Sequence, residues 1–278
     1  MRQILGHSLE GRAITIYSNF DLDLSDNLGG APKSLPPNLT LLLGGTHGDE
    51  LATIPLLENF IDEQLSSKKN IQPTIVLPLL NPDGHHRLSR YNARGVDLNR
   101  NFPHLWKKDS EEPAGERPLS EPEASMLFDF ISTVKPAKIV SLHWALAELD
   151  ADGGQSLDLA NAMWKSLADE EKRAYRLKLP RLKSETDLGS QEQNYCSGSL
   201  GQWCGYGLTY PDGKRPAMIT LELPYHAHSE DRPEILADSH LDQVRDLWTN
   251  RRDHYLEKIQ GPVHKVLAAA CYFDEGKN

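Results

Sequence analysis

Several short runs of this chain are almost wholly apolar, and stretches of helical periodicity separate them. Such runs are typical of central strands covered on both faces. The candidate strands span residues 13–18, 39–45, 74–80, 138–143 and 218–224. The candidate helices span residues 50–65, 121–134, 157–167 and 238–255. This alternation predicts an α/β fold with a mixed, largely parallel central sheet between helix layers.

The turn after the second apolar run, in LLLGGTHGDE, carries a histidine and a glutamate three residues apart. A buried strand that stops at Gly44 and Gly45 would place His47 and Glu50 at its carboxyl end. Open α/β sheets bind ligands at that edge, and imidazole and carboxylate are ligands of catalytic zinc. The alternative stays open that Glu50 merely favours a helix N-terminus and His47 is an ordinary loop residue.

His143 ends the run KIVSLH, so it would also lie at the carboxyl edge of a strand. With His47 and Glu50 it would give two imidazoles and one carboxylate. Taken alone, a histidine in this position is more often a hydrogen-bonded structural residue. We expect the other loop histidines to face solvent, namely His85, His86, His104, His226 and His228.

Glu222 lies in the apolar run ITLELP, near the end of the last candidate strand. Burial raises the pKa of a carboxyl group unless a charge offsets it. A carboxylate in this position is a candidate general base beside a metal ion. The alternative is an outward-facing glutamate on an edge strand.

The segment from Asn81 to Pro103 follows a buried strand and is crowded with polar residues. Within it, Asn99 offers an amide, and the adjacent Arg100 offers a planar fork of donors that matches a carboxylate. Asp97 is a candidate acceptor for the second ring nitrogen of a metal-bound histidine. Loops at the ends of buried strands often carry function.

Composition and charge restrict the class of protein. A net charge of −10 over 278 residues, with no dense basic block, disfavours nucleic acid as a partner. No run approaches the roughly 18 apolar residues of a membrane span, and no signal peptide is evident. Three cysteines are too few for a disulfide scaffold. We therefore expect a cytoplasmic protein with reduced thiols, and the oligomeric state stays open.

The chain has no repeats and no low-complexity segments. The stretch 107–122, rich in proline and charge, is typical of a surface excursion rather than of a linker. We therefore expect residues 1–278 to form a single domain.

Five elements occur in an order that resembles the zinc carboxypeptidase (funnelin) family. They are HGDE, NPDG, GVDLNRNF, the strand-final His143 and TLELP, and the opening GHSLEGRAI is also similar. The resemblance extends from about Gly6 to Pro224. It implies one zinc ion per chain and an enzyme that hydrolyses a peptide with a free terminal carboxylate.

The resemblance also implies roles for individual residues. His47, Glu50 and His143 would bind zinc, with Asp97 orienting His47, and Glu222 would be the general acid and base. Asn99 and Arg100 would hold the terminal carboxylate of the substrate. Arg90 best matches the arginine that polarises the scissile carbonyl, and Arg87 and Arg94 are the alternatives for that role. Tyr195 is the counterpart of the family's mobile tyrosine, and it is the least closely matched of these residues.

Within the family, GGTHGDE and GSLGQWC resemble the murein peptide amidase A-like subgroup. That likeness implies cleavage between γ-D-glutamate and meso-diaminopimelate in cell-wall peptide recycling. Three alternatives stay open. One is a general cytoplasmic carboxypeptidase acting on α-linked peptides, and another is an N-acyl amino acid deacylase of the aspartoacylase or succinylglutamate desuccinylase type. The third is a catalytically silent binding module.

Overall fold

The computed structural model describes residues 1–22, 35–65, 72–175, 177–183, 197–224 and 240–274. Its strands are β1 (Arg2–His7), β2 (Ala13–Ser18), β3 (Thr40–Leu43), β4 (Thr74–Leu77), β5 (Lys138–Asp152), β6 (Arg181–Lys183) and β7 (Ala217–Pro224). Its longer helices are α1 (Thr53–Phe60), α2 (Pro82–Arg87), α3 (Pro122–Val134), α4 (Leu157–Lys165), α5 (Asp169–Ala174) and α6 (His240–Tyr272). Short helical turns lie at Ile61–Leu65, Leu98–Arg100, Gly154–Ser156, Leu200–Gln202 and Trp203–Gly207.

The strands of the described residues form one mixed sheet. Strands β1 and β2 pair antiparallel, as do β2 and β4. Strand β3 pairs in parallel with β4 on one side and with β5 on the other, and β5 pairs in parallel with β6 and, over its first half, with β7. The prediction of a mixed, largely parallel sheet is therefore confirmed.

Strand β5 is long because its two halves run along both edges of β7. The first half pairs with β7 in parallel and the second half pairs with it in the reverse direction, so that Val140 and Ala151 both align with Ile219. Since a strand has two hydrogen-bonding edges, the two halves must lie on opposite sides of β7. The reversal includes Ala147, whose φ is 54°. Strand β7 is therefore interior, which excludes the edge-strand alternative for Glu222.

Helices cover both faces of the sheet. Successive residues of a strand point to opposite faces, and accordingly Leu42 and Val140 belong to one core while Leu41 and Ile139 belong to the other. The first core includes residues of α1, α4 and α6. The second includes the buried side of α3. The site described below is built where the central strands end.

Helix α6 is longer than its sequence pattern predicts. It continues to Tyr272, past the Gly261–Pro262 pair that ordinarily ends a helix. Val263 and Leu267, which follow that pair, are buried in the first core, so packing outweighs the local break. The predicted start of this helix at residue 238 lies outside the described residues. In the described part of the chain, no helix combines the length and apolar character that a membrane crossing requires.

Candidate metal centre

The chain leaves β3 through a tight turn that fixes the first two candidate ligands. Gly45 has a φ of 58°, which favours glycine. A side chain at Gly48 would meet the backbone carbon of Gly84 in α2 at 2.1 Å. The hydroxyl of Thr53 accepts the Gly45 N–H at 3.1 Å and donates to the carbonyl of Glu50 at 2.9 Å. The turn is therefore held against both α1 and α2.

Three side chains converge at this turn from two distant parts of the sequence. The Nδ1 atom of His47 lies 2.6 Å from Oε1 of Glu50, and the Nδ1 atom of His143 lies 3.1 Å from Oε2 of the same carboxylate. All three residues are buried. One ligand atom from each lies within 4.8 Å of the others, so this group could hold a metal ion.

Each imidazole is oriented by a second partner on its other nitrogen. The Nε2 atom of His47 lies 3.2 Å from Oδ1 of Asp97, and the Nε2 atom of His143 lies 3.0 Å from the hydroxyl oxygen of Ser141. When Nε2 carries the proton and donates it to these oxygens, Nδ1 keeps its lone pair for a metal ion. Both rings therefore present the same nitrogen to the centre.

The electrostatics of the cluster favour a cation between these groups. Burial is the largest single effect and would lower the pKa of His47, but the Glu50 and Asp97 carboxylates together outweigh it and raise that pKa to about 9. Burial would raise the pKa of Glu50, but the two imidazoles hold it well below its usual range. The carboxylate is therefore ionised and attracts positive charge, which a proton or a divalent ion can supply.

The donor set fits zinc. Zinc takes imidazole nitrogen and carboxylate oxygen at roughly 2.0–2.2 Å, and catalytic sites use three protein ligands with one open position. The two imidazoles and one carboxylate match that composition. Asp97 and Ser141 each contact the Nε2 atom of one imidazole, as the outer partners of zinc-binding histidines do.

Of the three arginines considered from the sequence, Arg90 reaches the cluster. Its Nη1 atom lies 3.3 Å from Nδ1 of His47 and 4.0 Å from Oε1 of Glu50. Arg87 instead pairs with Glu10 on the surface, and the Nη1 atom of Arg94 lies 3.7 Å from Oε2 of Glu121. The structure thus separates Arg90 from its two neighbours by position.

Asn99 and Arg100 lie on the helical turn that follows Asp97. The Asp97 carboxylate caps this turn by accepting the Asn99 N–H at 2.8 Å. The side-chain oxygen of Asn99 accepts the Leu200 N–H at 2.9 Å, which joins the turn to the GSLGQWC segment. Arg100 is buried, and it donates from Nη1 to the Asn99 carbonyl at 2.8 Å.

Glu222 is the neighbour of His143 across the sheet. The two residues align in the parallel part of the β5–β7 pairing. Their strand neighbours Leu142 and Leu221 belong to the first core, so His143 and Glu222 lie on the opposite face. Glu222 is half-buried at the carboxyl end of β7. This places a carboxylate beside the candidate metal ligands.

The predictions for Tyr195 and for the loop histidines stand apart from the cluster. Tyr195 lies outside the described residues, as do His226 and His228. His86 is exposed as expected, but His85 and His104 are half-buried.

Two contacts of the site have a signal in the sequence that is easy to overlook. Ser141 precedes His143 by two residues on a strand, so it shares its face. Asn81 begins NPDG, a helix N-cap followed by proline. Its side-chain oxygen accepts the Gly84 N–H at 2.9 Å, and its amide donates to the carbonyls of Thr46 and Arg90. Asn81 therefore connects the turn after β3 to the loop that contains Arg90.

The mixed sheet and the cluster of two imidazoles and one carboxylate indicate a zinc-binding α/β protein, and the sequence comparison agrees with that class. Residues 2–147, just over half of the chain, match the family described as zinc carboxypeptidase. The chain belongs to the zinc carboxypeptidase family, and the prediction of a zinc-dependent site is confirmed at the level of that family.

More specific similarities are to murein amidases. Murein peptide amidase A of Escherichia coli (strain K12) is 32% identical over 183 residues, which are 59% of this chain and 65% of that protein. The matched region therefore spans less than two thirds of the E. coli relative. Murein peptide amidase A of Vibrio campbellii is 30% identical over 199 residues, covering 66% of this chain and 68% of that protein. The crystal structure of a murein-tripeptide amidase from E. coli O157 superposes with a TM-score of 0.54 at 26% identity, covering 88% of this chain and 90% of that one.

Proposed function

We propose that this protein is a zinc-dependent peptidase that hydrolyses the amide bond of a C-terminal residue bearing a free carboxylate. The observation that carries the proposal is the convergence of His47, Glu50 and His143 within 4.8 Å of one another. Glu222 beside His143 supplies a base, and Arg90 at the same cluster supplies a hydrogen-bond donor. Membership of a family of zinc peptidases supports the same reaction class.

The chain's own residues divide the chemistry between them. A zinc ion bound here would polarise the scissile carbonyl and lower the pKa of the attacking water. Glu222 accepts the proton from that water and passes it to the leaving nitrogen. Arg90 donates to the oxygen on which negative charge develops, a contribution of about 2.7–4 kcal/mol for one such donor in other enzymes.

Asn99 and Arg100 bind the terminal carboxylate of the substrate in this proposal. A guanidinium fork matches the two oxygens of a carboxylate, and the neighbouring amide adds a further donor. The capped turn after Asp97 holds both residues on one rigid element. A ligand without a free carboxylate leaves buried donors unpaired, which costs about 1–3 kcal/mol.

The substrate we propose is a murein peptide, cleaved between γ-D-glutamate and meso-diaminopimelate. Support comes from the relatives and the solved structure named above, two of which are murein peptide amidases and one a murein-tripeptide amidase. We further propose that residues 1–278 act as a single catalytic domain in the cytoplasm. The two free, buried thiols of Cys204 and Cys271 agree with a reducing compartment.

The test is hydrolysis by the zinc-loaded protein of three ligands: L-Ala-γ-D-Glu-meso-diaminopimelate, its analogue with an α-linkage, and its C-terminally amidated form. Cleavage of the γ-linked peptide with at least tenfold lower rates on the other two is the expected result. Cleavage of the α-linked peptide alone would instead make the protein a general carboxypeptidase. No cleavage of any of them, with activity on N-acyl amino acids, would establish the deacylase.

A further inference from the structure

Residues 107–122, predicted as a surface excursion, are hydrogen-bonded to the loop that carries Asp97, the outer partner of His47. The Asp97 N–H donates to the carbonyl of Pro113 at 2.8 Å. The side chains of Asn101 and Trp106 both donate to the carbonyl of Ala114, at 2.7 and 3.0 Å. These bonds hold the backbone that carries Glu112 next to Asp97.

Asp97 binds the guanidinium of Arg90 through only one of its two carboxylate oxygens. Both Nε and Nη2 of Arg90 approach the same oxygen, Oδ2, at 3.0 and 2.8 Å. The other oxygen, Oδ1, is occupied by the ring of His47 and by the Asn99 N–H. A guanidinium held at one oxygen can still rotate about it, unlike a fork paired with both oxygens of a carboxylate.

Glu112 supplies a second carboxylate on the Nε side of Arg90. Its Oε1 atom lies 4.0 Å from Nε of Arg90, and its Oε2 atom accepts the hydroxyl of Tyr91 at 2.8 Å. The hydrogen bond from Tyr91 holds the carboxylate in place, so its negative charge lies beside the Nε edge of the guanidinium. On the other side of the same guanidinium, Nη1 of Arg90 lies 3.3 Å from Nδ1 of His47.

We propose that Glu112 is a positioning residue that fixes the plane of the Arg90 guanidinium and so aims its Nη1 at the reacting carbonyl. This inference rests on the proposed function for its effect on rate, but the placement of Arg90 is independent of it. Glu112 acts through Arg90 and does not touch the substrate. Its charge, rather than its hydrogen bond to Tyr91, is the property that the role requires.

The first test follows the Arg90 side chain itself. The Nε–H resonance of Arg90 in the zinc-loaded protein, assigned by its loss in Arg90→Lys, should shift and exchange with water several-fold faster in Glu112→Gln. Glutamine keeps the shape and an acceptor for Tyr91 but removes the charge. Glu111→Gln, which changes the adjacent exposed glutamate, should leave the resonance unchanged. An unaltered resonance in Glu112→Gln would overturn the proposal.

The second test is a double-mutant cycle on the peptide that the wild-type protein cleaves. Glu112→Gln should lower kcat about tenfold with KM and zinc content nearly unchanged, because a misaimed donor is lost in the transition state. In an Arg90→Ala background the same change should alter kcat less than twofold, since contacting residues that act together are not additive. An equal loss in both backgrounds, or no loss in either, would overturn the proposal. If the wild-type protein cleaves no peptide, the proposed function fails, and the arginine resonance still decides the placement of Arg90.

Discussion

At the scale of single residues, the two imidazoles of the cluster both direct Nδ1 toward Glu50 but differ in the group that contacts Nε2. His47 is anchored by a buried carboxylate, Asp97, which itself binds Arg90. His143 is anchored by the neutral hydroxyl of Ser141. A charged acceptor makes a stronger hydrogen bond than a neutral one. The two ligands are therefore not equivalent, and His143 depends on the weaker support.

Replacing Ser141 with alanine should weaken zinc binding about tenfold without preventing it. The change removes the partner of Nε2 of His143, and loss of such outer partners typically costs 10–100-fold in metal affinity. Competition with a chelator of known affinity measures the effect. Ser166→Ala, at the end of α4 and distant in sequence from the cluster, is the control. Equal zinc affinity in Ser141→Ala and the control would contradict the role.

The candidate ligands were accessible from sequence because each has a local signature. His47 and Glu50 follow an apolar run and a glycine pair, and His143 ends another such run. The contact of Glu112 with Arg90 has no such signature, because Glu112 comes 22 positions after Arg90 and reaches it only through the way the loop folds back. Tertiary contacts of this kind leave no periodic pattern in the sequence.

At the scale of elements, the turn after β3 depends on close contact with α2. Gly48 lies where any side chain would overlap the backbone of Gly84 and His85, at 2.1 and 2.2 Å. The same helix is capped by Asn81, which also binds the backbone of the turn. Helix α2 therefore buttresses the metal-binding turn, although the sequence pattern predicted only a loop there.

Gly48→Ala should destabilise the fold and loosen the turn, because an added methyl group has no space and the obstructing atoms are backbone. Overpacking of this kind typically costs 1–3 kcal/mol, which for a chain of this size lowers Tm by about 2–4 °C per kcal/mol. Thermal unfolding by calorimetry measures it. Gly154→Ala is the matched control, since nothing lies within 4 Å of its added carbon. A Tm for Gly48→Ala equal to that of the control would refute the close contact.

The strands were predicted more closely than the way they assemble. Strand β2 spans residues 13–18 as expected, and β3 and β4 lie within their predicted ranges. The passage of β5 along both edges of β7 was not predicted, because apolar periodicity carries no information about register or about which strands pair. Strand β1 and the three-residue β6 also lack a strong pattern, and both depend on pairing with a neighbour.

At the scale of the whole molecule, the candidate site joins segments that are distant in sequence. His47 and Glu50 follow β3, Arg90 lies in the loop after α2, and His143 and Glu222 lie on β5 and β7. A metal ion held by the cluster would therefore crosslink separate parts of the sheet. Such a ligand stabilises the folded state in proportion to the logarithm of its concentration over Kd.

Removing zinc should lower the stability of the whole domain. At a free zinc concentration 1,000 times Kd, the bound ion contributes about 4 kcal/mol. A chelator should then reduce Tm by roughly 8–16 °C at about 2–4 °C per kcal/mol, and added zinc should restore it. His143→Ala should lose most of this zinc-dependent increment, because one of the three ligands is gone. A Tm that is insensitive to chelator would contradict a metal ion at this position.

The role of Glu222 as general base is tested by the rate of hydrolysis of L-Ala-γ-D-Glu-meso-diaminopimelate by the wild-type protein and by Glu222→Gln at equal, measured zinc content. Glutamine keeps the size of the side chain beside His143 and removes the base. We expect the variant to bind one zinc ion per chain and to lose at least 100-fold in kcat, in keeping with the roughly 10²–10⁴-fold contribution of general bases. A near-normal rate in zinc-loaded Glu222→Gln would contradict the assignment of Glu222.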